Sequence, residues 1–459
     1  MPPIPDVLSI PLVRQGVESV SRDTHTLRSV TGKALATVHE APPLLTRLTT
    51  KAMRAVPEPD PDELATVLAE AGRIFATETI EGQTPDGYCH QQALAAGVPV
   101  GVPRRTLDRL KHELGLLPQV VGAQRPAGTA PGHPARWVRR GSVLGVVAPS
   151  NHPATHLGWL KAVALGYGVA VRPGARDPIT PLRLVRALLR AGLPAGLLSL
   201  LPGPHAAADT LVAAADLALV YGSESTVARL RGDSRVLVHG PGRSKILVDA
   251  PLDDGLLDHL VAEIAEDGGV RCTNTSVVLT SGDHHALAAA LAERLAALPV
   301  RTVTDPDAAL PARPVKEALA LRQALVVAAE GAPELTEPYY GGEPTPLVDG
   351  DAAVLRPAVV CVDRSDHPGL RTELPFPCVW VAPWRAADGI GPLRDSLVVT
   401  LLGTDPSLAH EALHTPSIRT VVHGRVSGWW RDPYLPHEGY AGQFLREVRG
   451  YVVQGGENS

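Results

Sequence analysis

Apolar and polar residues follow two different spacings along the chain. In residues 59–76 and 104–117 the apolar positions recur every three or four residues, which predicts amphipathic helices. The first of these stretches also carries acidic residues in its opening turn, where they favour the start of a helix. Residues 1–60 show no long regular pattern and predict a leader of short strand and helix pieces.

From residue 141 onward, short apolar runs alternate with helical patterns. The predicted order is strand 141–150, helix 156–168, strand 169–173, helix 180–194, strand 197–203, helix 205–215, strand 217–223 and helix 224–231. This alternation predicts an α/β fold with a parallel sheet that helices cover on both faces. Ligands of such sheets bind at the carboxyl ends of the strands. Those ends carry the turn sequences APSN, RPGARD, LPGP and YGSES.

A second unit begins near residue 238. It contains a helix, a cysteine-bearing segment, a strand, a long Ala/Leu helix at 285–297 and further strands to about residue 424. Residues 121–137 are rich in Pro and Gly and predict a connection or an extended arm. The tail is more aromatic and contains extended pieces. A length of 459 residues fits two or three domains of ordinary size.

Composition and charge argue against several classes of protein. The net charge is -5, so the sequence offers no basic face for nucleic acid. No apolar run reaches the roughly 18 residues that span a bilayer, and the first residues lack the layout of a secretory signal. We therefore expect a cytoplasmic protein without nucleic-acid or membrane partners. The Arg-rich, Lys-poor and Ala/Leu-rich composition indicates a GC-rich bacterial source.

The four cysteines, Cys89, Cys272, Cys361 and Cys378, lie far apart and form no CxxC pair. This spacing argues against a disulfide framework or a zinc ribbon, so each is expected to be a reduced thiol. Cys272 follows a Gly-Gly pair in EDGGVRCTNTSVVL (266–279). Taken alone, it is either a small buried residue at a turn or a reactive nucleophile.

Five segments, in order, resemble the aldehyde dehydrogenase superfamily over about residues 60–450. They are GVVAPSNHP (145–153), AVRPGARDPITPLRLVRALLRAGLPAGLLSLLPG (170–203), VYGSES (220–225), GGVRCTNTSVVL (268–279) and ELPFPCVWV (373–381). The resemblance implies two Rossmann-like parallel-sheet domains plus a small bridging and oligomerisation element. The implied boundaries are an NAD(P)-binding domain at 1–120 and 142–239, a catalytic domain at 240–424, and a bridging arm at 121–141 and 425–459. A homodimer or homotetramer is also implied.

The matched positions imply a catalytic site and a cofactor site. Cys272 stands at the family's nucleophile, and Asn151 at the asparagine that stabilises the oxyanion. Losing one oxyanion donor typically costs about 10²–10³ in rate. The cofactor-binding positions that the resemblance implies are Pro149, Ser150, Arg172, Gly174, Arg176, Gly203, Gly222, Ser223, Glu373 and Phe376. No metal ligand is implied.

Several positions depart from the family pattern. The lysine that contacts the adenosine ribose is Arg172 here, and the acidic residue three positions later is Ala175. An arginine without a neighbouring carboxylate suits a 2′-phosphate, so NADP is favoured over NAD, and Arg176 is a second candidate for this contact. His239, in HGPG (239–242), replaces the glutamate that activates water in hydrolytic members. His239 is therefore either an active-site group or a local turn partner.

Three further matches are weak. Val270 occupies the position of a family glutamine, and LPHEGY (435–440) is at best a remnant of the late Pro-Phe-Gly-Gly motif. The LPFP after Glu373 departs by one residue from the family spacing. Glu373 is therefore either a ribose ligand or a solvated loop carboxylate.

The residues suit chemistry between the aldehyde and acyl oxidation levels. A thiolate such as that of Cys272 adds to a carbonyl and holds the acyl group as a thioester. Without the family glutamate, a non-hydrolytic reaction of an aldehyde or acyl thioester is favoured, with coenzyme A or a carrier-protein arm as the thiol. His239 could instead activate water, giving a carboxylic acid. A cofactor-independent Cys272–His239 thioesterase or acyl transferase and a non-catalytic scaffold are the alternatives from other classes.

Other polar clusters have plainer interpretations. The two histidines of HPATH (152–156) flank a proline and have no third ligand nearby, which argues against a metal site. Glu263, Glu266 and Asp267 are predicted to form a solvated helix face. SGWW (427–430) is either a substrate wall or a subunit contact.

Overall fold

The computed structural model describes residues 7–130 and 132–452. Its N-terminal part begins with short strands and continues with helices: β1 (Leu8–Ile10), β2 (Leu12–Arg14), β3 (Val17–Ser19), β4 (Thr24–Arg28), β5 (Ala34–His39), α1 (Pro43–Met53), α2 (Pro61–Thr77), α3 (Pro85–Ala96) and α4 (Gly101–Gly122). The helices predicted at 59–76 and 104–117 are confirmed as α2 and α4. Among the described residues, no helix combines the length and apolarity needed to cross a membrane.

The apolar pattern does not predict α1 and α3, and their buried faces explain why. Helix α1 buries Thr46, Thr49 and Thr50 beside Met53. Helix α3 buries Tyr88 and Cys89, but also Gln92 and several small alanines. Threonine, glutamine and alanine on a buried face leave no strong apolar spacing in the sequence, so the helical period is not visible there.

The middle of the chain alternates between strand and helix, as predicted. Its elements are β6 (Ala135–Arg139), β7 (Val143–Val147), α5 (Leu157–Ala164), β8 (Gly168–Arg172), α6 (Ile179–Arg190), β9 (Leu198–Leu200), α7 (His205–Ala214), β10 (Leu217–Tyr221), α8 (Glu224–Leu230) and β11 (Val236–His239). They form a sheet of strand order β11-β10-β7-β8-β9-β2-β3. Strands β7 to β11 pair in parallel, and β2 and β3 add an antiparallel edge.

Both faces of this first sheet are covered. Val169 and Val171 of β8 belong to one apolar core, which contains residues of α5 and α6. Ala170, between them, belongs to a second core that contains Leu211 of α7. Because alternate residues of a strand point to opposite faces, this division confirms the predicted arrangement of helices on both sides.

The second part of the chain builds another parallel sheet. Its elements are β12 (Ser244–Val248), α9 (Asp254–Ala265), β13 (Thr275–Thr280), α10 (His284–Ala296), β14 (Ala312–Pro314), α11 (Val315–Ala329), β15 (Leu347–Asp349), β16 (Ala352–Val354), β17 (Ala358–Cys361), β18 (Cys378–Pro383), β19 (Ser396–Leu402), α12 (Pro406–Leu413), β20 (Ile418–His423), α13 (Ala441–Leu445) and β21 (Arg446–Gly450). The strand order of the large sheet is β17-β18-β13-β12-β19-β20. All of its pairings are parallel. The α/β fold class predicted from the sequence is confirmed.

The predicted arm and tail meet within this chain. Strand β6, at the end of the Pro- and Gly-rich connection, pairs antiparallel with β21, so that Trp137 lies opposite Val448. Helix α13 leads directly into β21. The tail is therefore anchored on both sides of residues 424–440, by β20 in the second sheet and by β21 on the arm.

Candidate active site

A cavity of about 650 Å³ lies between the two large sheets. The turns that follow β7, β10 and β11 form one wall, and the segment before β13 forms another. Residues 429–441 of the tail, called the tail segment below, close a third side. The first sheet thus presents the carboxyl ends of its strands to the cavity, as expected for a parallel sheet.

The loop that carries Cys272 is held in one conformation. Asp267, Gly268 and Gly269 are three successive residues with positive φ. A Cβ at Gly269 would lie 2.5 Å from the backbone nitrogen of Pro377, so only glycine fits there. The Asn274 amide donates to the carbonyls of Glu263 and Glu266, at 3.1 and 3.2 Å. These contacts fix the turn immediately before the thiol.

The backbone of Cys272 is also fixed from the side of β12. The Ser244 hydroxyl donates to the Cys272 carbonyl at 3.0 Å. A Cβ at Gly242 would lie 1.7 Å from that same carbonyl oxygen, so the close approach requires glycine. The rigid support of the nucleophile therefore comes from HGPG (239–242) and the residues after it.

A histidine of the tail segment lies against the thiol. The Cys272 Sγ and the His437 Nε2 are 3.1 Å apart. Desolvation by the surrounding protein raises the pKa of Cys272 well above its usual range, and Glu373 and Glu438 raise it further. Desolvation, with the neighbouring His239, lowers the pKa of His437. Thiol and imidazole are therefore both neutral at rest, and His437 can accept the thiol proton.

His239 also lines the cavity, but its ring contacts the His437 ring and not the Cys272 sulfur. Its Nδ1 lies 2.8 Å from Glu438 Oε2, although the geometry does not meet the criteria for a hydrogen bond. Its ring stacks on Tyr221, with centroids 4.8 Å apart, and meets the His437 ring edge to face at 5.3 Å. Although desolvation raises the pKa of Glu438, the contact with His239 lowers it overall. His239 thus holds Glu438 ionised and packs against His437.

Asn151 lines the cavity after β7, as predicted. Its Nδ2 donates to the Val270 carbonyl at 2.9 Å, which joins the turn after β7 to the cysteine loop. Only one amide hydrogen is needed for this bond, so the amide keeps a second donor. Asn151 and Cys272 therefore line the same cavity from two adjoining walls, which this hydrogen bond connects.

Glu373 also faces the cavity. Its carboxylate accepts from the Arg243 backbone nitrogen at 2.6 Å. Desolvation raises its pKa to about 7, although the backbone N–H groups of Arg243 and Gly242 act in the opposite direction. The interpretation of Glu373 as an ordinary solvated loop carboxylate is therefore wrong. Phe376, by contrast, is 1% exposed within the core of the second sheet and does not line the cavity. The role of Phe376 in cofactor binding stays a prediction, and its side chain is enclosed by other apolar residues.

Of the predicted cofactor positions on the first sheet, Pro149, Ser150, Arg176 and Gly222 line the cavity, whereas Arg172, Gly174, Gly203 and Ser223 are not among its lining residues. A Cβ at Gly174 would lie 2.2 Å from Ser150 Oγ and 2.5 Å from the Pro149 carbonyl, so the turns after β7 and β8 touch through glycine. Ser150 Oγ accepts from the Arg176 backbone nitrogen at 3.1 Å. At Gly222 a Cβ would lie 2.6 Å from Thr226, and at Gly203 a Cβ would lie 2.9 Å from Ala207. Ser223 occupies the N-cap position of α8, but its side chain makes no capping hydrogen bond.

The two arginines among these positions differ in their partners. Arg172 is buried and donates to the carbonyls of Pro204 and Pro173, at 3.3 and 3.4 Å. Among the described residues it has no carboxylate partner. Arg176 forms an ion pair with Glu317 of α11. Of the two predicted positions, Arg172 is the one whose charge is uncompensated.

The acidic residues at the end of α9 and in the turn after it do not form a solvated face. Glu263 and Asp267 are 5% and 6% exposed. Asp267 accepts from His152 Nε2 at 3.3 Å and from Arg271 at 3.4 Å, and these partners hold its pKa well below its usual range although desolvation raises it. The Arg271 guanidinium lies 4.0 Å from the centre of the Trp430 ring. The prediction failed because the turn after α9 folds its carboxylate inward onto two buried bases.

The tail segment supplies the functional residues that the sequence did not indicate. His437 and Glu438 stand 165 residues or more after Cys272 and lie in LPHEGY (435–440), which matches the family motif poorly. The one available signal was a histidine and a glutamate at the place of a motif expected near the nucleophile. His152 and His156 face different carboxylates, Asp267 and Asp177, so they share no ligand position.

Comparisons with known proteins agree with this architecture. The family model described as "Aldehyde dehydrogenase family" matches residues 105–390, more than half of the chain. The chain is 28% identical over 295 residues to a betaine aldehyde dehydrogenase of Cereibacter sphaeroides, covering 60% of each. It is 28% identical over 323 residues to a hydroxyisobutyraldehyde dehydrogenase of Mycolicibacterium austroafricanum, covering 65% of this chain and 62% of the relative. These alignments span about three fifths of the length of the curated relatives.

Solved structures show the same fold at low identity. An NAD+ complex of an aldehyde dehydrogenase from Bacillus cereus has a TM-score of 0.79 and 18% identity, covering 96% of both chains. An indole-3-acetaldehyde dehydrogenase in complex with NAD+ has a TM-score of 0.79 and 17% identity, covering 96% of this chain and 95% of that one. At these identities the similarity establishes the fold.

Proposed function

The chain belongs to the aldehyde dehydrogenase family, and from that premise we propose that it is an NAD(P)-dependent oxidoreductase acting on an aldehyde or an acyl thioester through Cys272. The observation that carries the proposal is the 3.1 Å contact between Cys272 Sγ and His437 Nε2 inside the cavity. A thiol beside a neutral imidazole can form the nucleophilic thiolate that this chemistry requires.

The first step would be carried out by Cys272 and His437. The Sγ–H proton moves to His437 Nε2, and the thiolate forms a C–S bond to the carbonyl carbon of the aldehyde. The π electrons of the carbonyl pass to its oxygen, which becomes an oxyanion. The second N–H of the Asn151 amide, which lines the same cavity, is the donor we assign to this oxyanion.

The nicotinamide cofactor, when bound, would accept the hydride from the substrate carbon or return it in the reverse direction. The first-sheet wall fits such a group, because the absence of side chains at Gly174 and Gly222 lets the turns pack closely and leaves space for the cofactor. We infer that Arg172, whose charge has no carboxylate partner in the described part of the chain, contacts the cofactor's 2′-phosphate. NADP is therefore favoured over NAD. Glu373 remains the candidate for the nicotinamide ribose.

Release of the acyl group from Cys272 favours a thiol acceptor. His239 stands where hydrolytic relatives have a glutamate, and here it is paired with Glu438 and stacked on Tyr221. His437 is the remaining base beside the sulfur. After it has released to solvent the proton that it took from Cys272, it would take the proton of an incoming thiol, such as that of coenzyme A or a carrier arm, as the new C–S bond forms and the Cys272 thiolate leaves. Water in place of the thiol would give a carboxylic acid, which is the hydrolytic alternative.

The Cys272–His437 contact also supports a second candidate from another class. A cysteine and a histidine at hydrogen-bond distance can transfer acyl groups without a cofactor, as a thioesterase or acyl transferase does. In that case the cofactor wall would be retained from ancestry. A homodimer or homotetramer remains part of the proposal, on the family resemblance alone.

One experiment separates these candidates. The purified chain is supplied with acyl-coenzyme A substrates of different length, with NADPH, with NADH and with neither, while nicotinamide absorbance and free thiol are followed together. We expect reduced cofactor to be consumed as free coenzyme A appears, with faster reaction for NADPH and none in a Cys272→Ser variant. Release of coenzyme A at the same rate without either cofactor would overturn the oxidoreductase and support the thioesterase.

A further inference from the structure

A group of histidine, cysteine and aspartate side chains lies outside the cavity. Cys361 is the last residue of β17, the edge strand of the second sheet, and His284 and His285 open helix α10. One ligand atom from each of these three residues lies within 4.8 Å of the others. Asp363 follows Cys361 by two residues and contacts both imidazoles. None of the four lines the cavity.

We propose that Cys361, His284 and His285 bind a divalent cation of the zinc class, with Asp363 orienting the two imidazole rings. Thiolate and imidazole are the ligands that zinc prefers, and the set of one sulfur and two nitrogens leaves the fourth position to water. Binding replaces the Sγ–H bond with a sulfur–metal bond and releases one proton to solvent. No oxidation or reduction is involved.

The spacing of the ligand atoms fits a tetrahedral cation. Cys361 Sγ and His285 Nδ1 are 3.4 Å apart. With a zinc–sulfur bond of about 2.3 Å and a zinc–nitrogen bond of about 2.0–2.1 Å, tetrahedral geometry requires ligand atoms about 3.3–3.6 Å apart. The sulfur and nitrogen are therefore already at the separation that a shared cation demands.

Asp363 contacts both imidazole rings through their Nε2 atoms. Its Oδ1 lies 3.3 Å from His284 Nε2, a hydrogen bond, and 3.2 Å from His285 Nε2. With the Nε2 of each ring turned to Asp363, Nδ1 is the nitrogen left for a cation, and the Nδ1 of His285 lies beside the sulfur. A carboxylate behind a metal-binding imidazole is the common arrangement that fixes its tautomer and raises its basicity. The two rings lie with their centroids 4.0 Å apart, so a single carboxylate serves both.

The proposed site combines a buried sulfur with exposed imidazole and carboxylate groups. Cys361 is 3% exposed, whereas the side chains of His285 and Asp363 are 65% and 78% exposed. The sulfur is therefore held by the sheet, and the cation can enter from solvent between the imidazoles. Bound cation would join the N-terminus of α10 to the end of the edge strand β17.

The position of the site indicates a structural role. Cys272 precedes β13 by three residues, and His284 follows the same strand by four. A six-residue strand is about 17 Å long. The cation and the thiol would therefore lie at opposite ends of the strands of this sheet. Its effect would be on stability, through preferential binding to the folded chain. This inference does not rest on the proposed reaction.

The test is a cobalt titration of the full chain in a Cys272→Ser background, which removes the cavity thiol. We expect one Co²⁺ per chain, with a sulfur-to-cobalt charge-transfer band, and competition by Zn²⁺. A Cys361→Ser substitution should abolish the band. An Asp363→Asn substitution should weaken binding by about 10–100-fold, the usual effect of losing such a supporting carboxylate.

A matched pair of double variants controls for unspecific binding by exposed histidines. His284→Asn/His285→Asn should lose the band and any rise in melting temperature with Zn²⁺. His410→Asn/His414→Asn alters another pair of stacked histidines, with centroids 4.2 Å apart, and should leave both unchanged. The proposal is overturned if no stoichiometric band forms, if the band survives in His284→Asn/His285→Asn, or if it disappears in His410→Asn/His414→Asn. Because both pairs are partly exposed, neither substitution should unfold the chain.

Discussion

At the scale of single residues, the sulfur of Cys272 is surrounded by groups that oppose its ionisation. Desolvation raises its pKa, and the carboxylates of Glu373 and Glu438 add to this effect. His437 is the base that lies close enough to take the proton. The reactivity of the thiol should therefore depend on one imidazole more than on the electrostatic potential of the cavity.

The contribution of His437 can be measured without knowing the substrate. We expect a His437→Ala variant to react with iodoacetamide at Cys272 about 10²–10⁴-fold more slowly at neutral pH, the range typical of losing a positioned base. Mass spectrometry of the Cys272 peptide gives the rate. An exposed histidine of another region, replaced in His414→Ala, provides the control and should leave the rate unchanged. Equal rates in all three proteins would show that the 3.1 Å contact has no chemical role.

The two carboxylates make a separate prediction about the thiol pKa. Removing a negative charge near a thiol favours its thiolate, so Glu373→Gln and Glu438→Gln should each lower the pKa of Cys272. Glu373 makes the larger contribution of the two, and its substitution should have the larger effect. The pH dependence of alkylation reports both shifts. A pKa that rises in either variant would contradict the placement of these carboxylates.

The sequence pointed to Cys272, Asn151 and His239, but not to the candidate base His437. Cys272, Asn151 and His239 were predicted from ordered motifs, and all three line one cavity. His437 was not predicted, because its contact with Cys272 joins residues 165 positions apart. The direction of a side chain within an irregular tail depends on tertiary packing, which no local pattern encodes. The catalytic roles of Cys272, Asn151 and His239 remain predictions.

At the scale of elements, glycine residues fix the conformation of the loop that carries Cys272. We expect Gly269→Ala to destabilise the chain by about 1–3 kcal/mol or more, because alanine is strained at positive φ and its Cβ would collide with Pro377. Gly115→Ala, in α4, is the matched control. The atom nearest to its Cβ is 4.0 Å away, so the substitution should stabilise by about 0.5–1 kcal/mol. Urea denaturation of both variants measures the difference, and a neutral Gly269→Ala would contradict the loop conformation.

The elements themselves were predicted where burial follows a simple period. The strands and helices from 141 to 231 have apolar faces of the expected spacing and were confirmed. Helices α1 and α3 bury threonine, glutamine and alanine, and were invisible for that reason. The acidic turn after α9 was misjudged because burial of a carboxylate depends on partners such as His152, which lies more than a hundred residues upstream.

At the scale of the whole molecule, a buried lysine in the second sheet links stability to pH. Lys245 of β12 is 7% exposed and donates to the carbonyls of Pro392 and Arg394. Desolvation lowers its pKa from 10.5 to about 8. Between these two pH values the unfolded chain keeps a proton that the folded chain has lost. Stability from this group therefore rises as pH increases from 8 to 10.5.

A Lys245→Met variant isolates that contribution from the tyrosines and thiols that titrate nearby. The difference in unfolding free energy between wild type and variant should shift by up to about 3 kcal/mol in favour of wild type over this interval. Chemical denaturation at a series of pH values gives the two curves. Curves that stay parallel from pH 8 to 10.5 would show that Lys245 keeps its proton in the folded state.

The anchoring of the tail between β20 and β21 has a consequence for the order in which the protein matures. The nucleophile and the cofactor wall are synthesised well before residues 429–441, and β21 finds its partner β6 only after them. A nascent chain could therefore fold both large sheets while its thiol still lacks His437. Such a thiol would be slow to react with stray aldehydes until residues 429–441 have folded against it. The folding of residues 429–441 would therefore determine when Cys272 becomes reactive.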